Sequence, residues 1–316
     1  MRALITGSCG FVGAHLVNHL RAQPGLEVFG VARGSRTGLP ERTFTVDLTD
    51  DGAVANLIRD VRPDLVFHLA AQAAVPVSFG SPRDTLVNNI VGQLNLTEAI
   101  LASGLRPRML VVGSADEYGV VRPEELPIRE DNPLRPNSPY AVSKVAQDML
   151  GYQYFASHGL HIVRVRPFNH IGPGQSDLFA SASFARQIAE IEAGLREPVL
   201  LVGNLQAKRD FTDVRDIVVA YRLLLERGVA GEVYNLGSGR SVQVGKLLEL
   251  LLAQSDARIE VRQDPARMRP SDNPEVVCDC TKALSATGWQ ATIPLERTLR
   301  DLLNYWRERV GSGGSQ

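Results

Sequence analysis

The chain has 316 residues, 44% hydrophobic and 22% charged, with a net charge of −1. This is the composition of a soluble globular protein with room for one large domain or two interleaved ones. It offers no bulk positive charge to nucleic acid or to an anionic membrane, so an anionic ligand must be held by local Arg and Lys clusters. No apolar run is long enough to span a bilayer and no secretion signal precedes the first strand, so the cytoplasm is the expected compartment; three cysteines, Cys9, Cys278 and Cys280, cannot build a disulfide framework, and no metal site is expected of them.

The chain opens on a buried strand over residues 3–6, followed by Gly7, Gly10 and Gly13 at three-residue spacing and then by helical periodicity from Ala14. Strand, glycine turn and helix in that order make a phosphate site. The glycines allow a tight turn, close approach of a pyrophosphate and close packing of helix on strand, while the helix N-terminus faces the phosphates. The loop has no Lys and no GK[ST] ending, which argues against an NTPase P-loop.

Further strands are expected over 26–33, 43–48, 65–70, 108–113 and 161–166, separated by helices near 53–60, over 85–103 and from about 140. Six βα units in a row predict an α/β fold, a Rossmann-type doubly wound parallel sheet that binds ligands at its strands' carboxyl ends. After Pro167 the pattern loosens. A helix over 183–193 is followed by a helix over 213–226 and a strand over 232–236 that can return to the main sheet, then by a mixed region over 242–253, 258–261 and 295–310. The expected division is a dinucleotide-binding domain of residues 1–168 and 208–239, a smaller mixed α/β lobe of 169–207 and 240–310, and a flexible tail of 311–316.

In such a sheet the loop residues Gly7, Gly10, Phe11, Val12 and Gly13 hold the cofactor's phosphates. Asp47 and Leu48 end the third strand, where an acid can take the adenine amino group. The small residues after Leu69, namely Ala70 and Ala71, let a cofactor lie across the strand ends beside Gln72, and Pro167 closes the sixth strand at the same edge. The second strand ends in Arg33-Gly34-Ser35-Arg36, with no acid to clasp a free ribose 2′-hydroxyl and two arginines to receive a 2′-phosphate. NADP(H) is therefore favoured, with NAD(H) left open.

The most informative stretch is Ser138-Pro139-Tyr140-Ala141-Val142-Ser143-Lys144. Ser138 is a good N-cap, Pro139 suits the first turn, and Tyr140 and Lys144 fall at i and i+4 on one helix face. A phenol is a poor acid–base catalyst near neutral pH, and a nearby ammonium together with a nicotinamide cation should lower its pKa. The same Lys can hydrogen-bond the nicotinamide ribose. Ser114 stands at the carboxyl end of the fifth strand, placed to steady a substrate oxygen against Tyr140, and Asp116 can face the same cavity.

Glycine loop, Ser114 and the Tyr140/Lys144 pair together resemble the extended short-chain dehydrogenase/reductase family over nearly the whole chain. Three segments are similar to the sugar-nucleotide region of GDP-hexose enzymes: Arg166-Pro167-Phe168-Asn169-His170-Ile171-Gly172-Pro173-Gly174-Gln175, the run from Val202 to Val214, and the run from Asp264 to Asp272. They resemble GDP-4-dehydro-6-deoxy-D-mannose reductases most, and GDP-mannose 4,6-dehydratases next. The resemblance implies a GDP-sugar substrate with Arg209 and Arg269 on its diphosphate, Asn169 holding it through its amide, Asp272 on ribose hydroxyls, Asn204 in the same segment, and Arg186 and Lys208 nearby. Guanidinium forks suit a diphosphate.

The implied reaction is hydride transfer to a C4 ketone with Tyr140 as proton donor, giving GDP-D-rhamnose. A dehydratase needs a further acid/base carboxyl for the C5 proton, which in that family is a Glu two residues after the Ser/Thr position. Here that place is Asp116, one methylene shorter, while Glu117 should point the other way if the stretch stays extended. The dehydratases' Gln-Asp-Gly turn and their loop with paired arginines are also unmatched, by Gly10-Phe11-Val12-Gly13 and Arg33-Gly34-Ser35-Arg36. The reductase leads and the dehydratase is the alternative. A C4 epimerase follows, since Asp116 stands where epimerases carry a small or hydroxyl residue. A non-catalytic dinucleotide-binding protein should have lost part of the Ser/Tyr/Lys set. The resemblance also implies a homodimer through a four-helix contact, with Leu94, Leu96, Met149, Tyr152 and Phe155 as candidate contact residues.

Overall fold

A first strand apolar on both faces belongs in the middle of a parallel sheet. In the computed structural model, which describes residues 1–33, 42–268 and 273–313, β1 (Arg2–Thr6) has that place, with Ala3, Leu4 and Ile5 fully buried. α1 (Phe11–Arg21), β2 (Glu27–Ala32), β3 (Thr43–Thr45), α2 (Asp51–Val61) and β4 (Leu65–His68) follow. α2 starts on Asp50, whose carboxylate accepts the Ala53 N–H, and stops at Arg62 in the left-handed conformation. Two short helices, α3 (Val75–Gly80) and α4 (Pro82–Leu86), lead through a π turn over Val87–Val91 into α5 (Gly92–Ala102), so the helix expected over 85–103 carries a widened turn. β5 (Arg108–Val112) and β6 (Ile162–Pro167) flank the 20-residue α6 (Pro139–His158). The Ser138 hydroxyl caps α6 by accepting the Ala141 N–H, and left-handed Gly159 ends it.

Beyond Pro167 come β7 (Asn169–Ile171), α7 (Ala180–Glu192), β8 (Val199–Val202), β9 (Lys208–Asp213), α8 (Val214–Arg227), β10 (Val233–Leu236), β11 (Ser241–Gln243), α9 (Val244–Leu252), β12 (Glu260–Gln263), α10 (Thr281–Thr287) and α11 (Leu295–Gly313). The main sheet has seven parallel strands in the order β10-β6-β5-β4-β1-β2-β3. Strand order reverses between β1 and β4, and the binding crevice of a doubly wound sheet opens there. Residues of α1 and α8 cover one face, with Leu16, Ile217 and Leu224 on Ile5 and Val163; residues of α2, α5 and α6 cover the other, with Val54, Leu96 and Tyr154 on Leu4 and Val111. β10 returns to the sheet beside β6, as its position after α8 suggested.

The small lobe has a core of its own, in which Phe184 and Ile188 of α7, Leu247 and Leu251 of α9 and Leu299 and Leu303 of α11 meet. β9 lies on the dinucleotide side of the boundary expected at 208, yet it pairs with β7 and β11 in a separate three-stranded sheet, and its Phe211 packs against the lobe core. Gly311, Ser312 and Gly313 continue α11 where a loose tail was expected; the Ser312 hydroxyl donates to Glu308 O one turn back. Asp216 of α8 ties the two parts together, accepting the Thr292 and Ile293 N–H groups at 2.9 Å each. Of the proposed contact residues, Leu96 is fully buried toward the sheet and Phe155 is half-buried, whereas Leu94, Met149 and Tyr152 are exposed. No described helix is long and apolar enough to cross a membrane.

Candidate active site

The glycine turn is packed too tightly for side chains. Gly7 has φ +73°, and a Cβ on it would lie 3.0 Å from the Ala70 nitrogen. A Cβ on Gly13 would lie 2.1 Å from Gly7 O. Gly10 caps α1 without a side chain, so the N–H groups of the first turn, from Phe11 to Gly13, have no acceptor within the helix. The Leu69-Ala70-Ala71-Gln72 segment lies against this turn. Leu69 N–H donates to Thr6 O (3.3 Å), Ala70 N–H to Thr6 Oγ1 (3.2 Å) and Gln72 N–H to Asn89 Oδ1 on the π turn (2.7 Å).

At the far side of the crevice Asp47 accepts the Thr49 N–H and hydroxyl, which holds its carboxyl below the usual range. The guanidinium of Arg33 stands 3.8 Å from Asp47, donates to Asn88 Oδ1 at 3.3 Å, and is 71% exposed. Leu48 O accepts from Asn95. A cavity of about 400 Å³ opens here, lined by Arg33, Thr49, Gln72, Thr85, Val87 and Asn88 among others. Pro167 ends β6 buried beside Leu236. Arg36 lies outside the described residues. A tight cradle, an open helix N-terminus and a polar cavity at the next strand ends fit a dinucleotide, and an exposed guanidinium at the end of β2 fits a 2′-phosphate.

The three candidate catalytic groups converge. Ser114 follows β5 and starts a 3₁₀ turn over Ala115–Tyr118; its hydroxyl accepts the Asp116 N–H at 3.1 Å. Tyr140, 8% exposed, hydrogen-bonds to Ser114. The Lys144 ammonium lies 5.9 Å from the Tyr140 ring centroid and donates to Val112 O at 2.8 Å. The protein's own groups act against the lowering that Lys144 and a nicotinamide cation would bring. Burial, and after it the charge of Asp116, pushes the Tyr140 phenol up, and the hydrogen bond with Ser114 only partly opposes this. Burial also pulls Lys144 down to about 8 against the opposing charge of Glu117. Burial thus keeps the phenol protonated and able to act as a proton donor.

Because the chain turns here instead of staying extended, Glu117 is carried under Ser114 into the interior, while Asp116 is exposed and near enough to Tyr140 to raise it. Glu117 does face away from the crevice, but the 3₁₀ turn is the cause.

In the small lobe Asn169 is exposed at the start of β7, and Arg209 on β9 is half-buried, donating to Lys208 O and Asn273 O at 2.8 Å each. Lys208 reaches Glu275 at 3.5 Å. Arg186 is drawn into ion pairs with Asp177 and, at 2.6 Å, with Glu190, which leaves its guanidinium less available to an anion than its sequence suggested. Asn204 uses its amide oxygen on the Gln206 N–H in its own turn. Arg269 and Asp272 lie outside the described residues.

The sequence reading overlooked a contact between the cofactor loop and the substrate lobe. Phe11 stacks on His170 with ring centroids 6.0 Å apart and planes 10° from parallel, and His15 Nε2 lies 2.8 Å from Pro173 O. The i, i+4 spacing of Phe11 and His15 was the available signal, since it puts both on one side of α1. Arg267, which donates to Ser183 Oγ at 3.2 Å, was also overlooked within its quoted segment.

Comparison with known proteins agrees with this geometry. Residues 4–302 match the family model described as GDP-mannose 4,6 dehydratase. The chain is 40% identical to the GDP-6-deoxy-D-mannose reductase of Pseudomonas aeruginosa, covering 98% of each chain. It is 28% identical to the GDP-mannose 4,6-dehydratase of Yersinia enterocolitica, covering 96% of this chain and 92% of the relative. The solved structure of RMD from Pseudomonas aeruginosa complexed with NADPH superimposes with a TM-score of 0.88 at 39% identity, covering 98% of this chain and 99% of that one. With its glycine cradle and its Ser114, Tyr140 and Lys144 in place, the chain belongs to the GDP-mannose 4,6-dehydratase family of extended short-chain dehydrogenases/reductases.

Proposed function

We propose that the protein reduces the C4 ketone of GDP-4-dehydro-6-deoxy-D-mannose to GDP-D-rhamnose, with NADPH favoured over NADH. When bound, the reduced nicotinamide supplies the hydride that reaches C4. Tyr140 gives its phenolic proton to the carbonyl oxygen as the C–O π bond opens, and Ser114 holds that oxygen by a hydrogen bond. Lys144, fixed below by Val112 O, orients the nicotinamide ribose, and its positive charge stabilises the phenolate left behind.

One observation carries the choice of reductase over dehydratase: of the two carboxyls after Ser114, the longer one, Glu117, is sealed beneath the turn against Arg166. Only the shorter Asp116 is left on the crevice side, beside a protonated phenol. That arrangement suits protonation of a ketone oxygen better than removal of a C5 proton, which needs a carboxylate within hydrogen-bond reach.

The test is a pair of incubations, GDP-mannose with NADP⁺ and GDP-4-keto-6-deoxymannose with NADPH. The expected result is untouched GDP-mannose, one NADPH consumed per ketone, and a product two hydrogens heavier by mass; Asp116→Asn should slow this by less than about tenfold. Loss of water from GDP-mannose, abolished by Asp116→Asn, would transfer the assignment to the dehydratase.

Arg209 is proposed to bind the diphosphate together with Asn169. Losing one charge-assisted fork is worth about 1.5–3 kcal/mol, so Arg209→Ala should raise the KM for the GDP-sugar by about 10- to 100-fold. A change confined to NADPH affinity would place Arg209 on the cofactor side.

A homodimer through α4, α5 and α6 completes the reading. Leu94, Met149 and Tyr152 on α5 and α6, and Val87 in the π turn between α4 and α5, are exposed apolar side chains. Light scattering at micromolar concentration should give twice the chain mass, and Met149→Glu with Tyr152→Glu should halve it.

A further inference from the structure

Glu117 has no part in the chemistry above, yet its carboxyl is fully buried directly under Ser114. Its Oε1 accepts the Ser114 N–H at 2.8 Å, and its Oε2 accepts Arg166 Nε at 2.9 Å. Arg166 also reaches Asp148 at 2.6 Å and Tyr118 Oη at 3.0 Å, and Asp148 takes Arg164 on its other oxygen. Two guanidiniums and two carboxyls are thus shut away from solvent beneath one turn. Apolar side chains of the same volume would usually serve stability as well or better, so a set like this calls for a role beyond stability.

Gly113 makes the same point independently. A Cβ there would lie 2.2 Å from Glu117 Oε1 and 3.0 Å from Val165 O. The residue must be glycine for space, and most of that space is taken by the Glu117 carboxyl. Desolvation and the neighbouring Asp148 keep that carboxyl well above the usual carboxylate range. One of its oxygens receives the Ser114 N–H and the other the Arg166 Nε–H, so the carboxyl is held at both ends.

We propose that Glu117 is a positioning residue: it fixes the backbone of Ser114 from below and thereby sets where the Ser114 hydroxyl stands relative to Tyr140 and the substrate's carbonyl oxygen. The Arg166–Asp148 pair holds the carboxyl in that attitude. Arg166 keeps Asp148 as a partner if Glu117 is replaced, so the variants below leave no unpaired buried guanidinium. The choice of substrate rests on the reductase reading, whereas the contact itself does not.

The experiment is a double-mutant cycle on the full chain between Glu117→Leu and Ser114→Ala, read as kcat for ketone reduction and KM for NADPH. Glu117→Leu alone should lower kcat by about 10- to 100-fold with KM for NADPH within about twofold. In the Ser114→Ala background the same change should cost less than about twofold, because the hydroxyl it would misplace is already gone. Glu117→Gln keeps an acceptor for the Ser114 N–H and should stay within about threefold of wild type. Equal losses in both backgrounds, or a Gln variant no better than Leu, would overturn the proposal. Should Glu117→Leu fail to fold, Gly113→Ala displaces the same carboxyl without removing it and takes its place in the cycle with the same expectations.

Amide hydrogen exchange at Ser114 needs no turnover. Exchange there should speed up by about tenfold or more in Glu117→Leu and stay near wild type in Glu117→Gln. Unchanged exchange in both overturns the positioning role. A response in exchange together with a wild type that leaves the ketone untouched overturns the reductase reading alone.

Discussion

Replacing Tyr140 with Phe is expected to lower kcat by about 10²–10⁴-fold, the usual contribution of a positioned general acid, while the Kd for NADPH stays within about twofold. The ring is 8% exposed and already surrounded, so Phe occupies the same space without a cavity or a clash. What is lost is the phenolic proton and one hydrogen bond to Ser114. The hydrogen bond is worth about 1 kcal/mol of stability, too little to unfold a domain. The rate loss, about 3–5 kcal/mol of barrier, exceeds this because the Ser114 hydroxyl that remains at the carbonyl oxygen is a much weaker acid than a phenol. Lys144 stays in place through Val112 O, so the cofactor side of the site survives. Stopped-flow turnover and fluorescence titration with NADPH separate the two quantities. If binding and rate fell together, Tyr140 would be a packing residue.

The doubly wound sheet was legible because six strands alternate with helices long enough to cross back over it, and the strand after α8 joins the edge beside β6. The glycine turn and the Tyr140/Lys144 pair were legible because each depends on local geometry: three-residue spacing before a helix, and one helical turn on a capped face. What the sequence hid depends on contacts far along the chain. Glu117 and Arg166 are 49 positions apart, and nothing local announces that the turn after β5 tightens into 3₁₀ and carries Glu117 inward. Arg186 has the composition of an anion ligand, but Asp177, nine residues earlier, and Glu190, on the same helix, compete for it. Leu94 and Leu96 were grouped on one surface although residues two apart in a helix lie on opposite sides; accordingly Leu96 faces the sheet and Leu94 faces out. The burial of Tyr140, which raises its phenol's pKa, is likewise a property of the whole fold and has no local signature in the sequence.

Gly13→Ala is expected to weaken NADPH binding by about 100-fold or more, about 2.8 kcal/mol, with a smaller effect on folding. A Cβ on Gly13 would meet Gly7 O at 2.1 Å, Gly7 C at 2.8 Å and Ser8 Cα at 2.8 Å. All three are backbone atoms, so no side chain can swing away and the turn itself must move from α1. Gly7 cannot yield freely, because its backbone packs on Ala70 and its N–H is bonded to Val31 O at 3.0 Å. The strain therefore opens the junction of β1 and α1, where the first-turn N–H groups of the helix must all point at one pyrophosphate. Two further glycines serve as controls. A Cβ on Gly10 would meet only Gly7 O, at 3.2 Å, so Gly10→Ala should cost about tenfold at most. A Cβ on Gly52, in the first turn of α2, would meet only Asp50 Oδ1, at 3.5 Å, so Gly52→Ala should leave NADPH binding unchanged and raise thermal stability slightly, since Ala is favoured over Gly in a helix by about 1 kcal/mol. Fluorescence titration with NADPH across the three variants reads this order directly. If Gly13→Ala bound NADPH as tightly as Gly10→Ala, the close approach of helix to turn would not be what shapes the phosphate site.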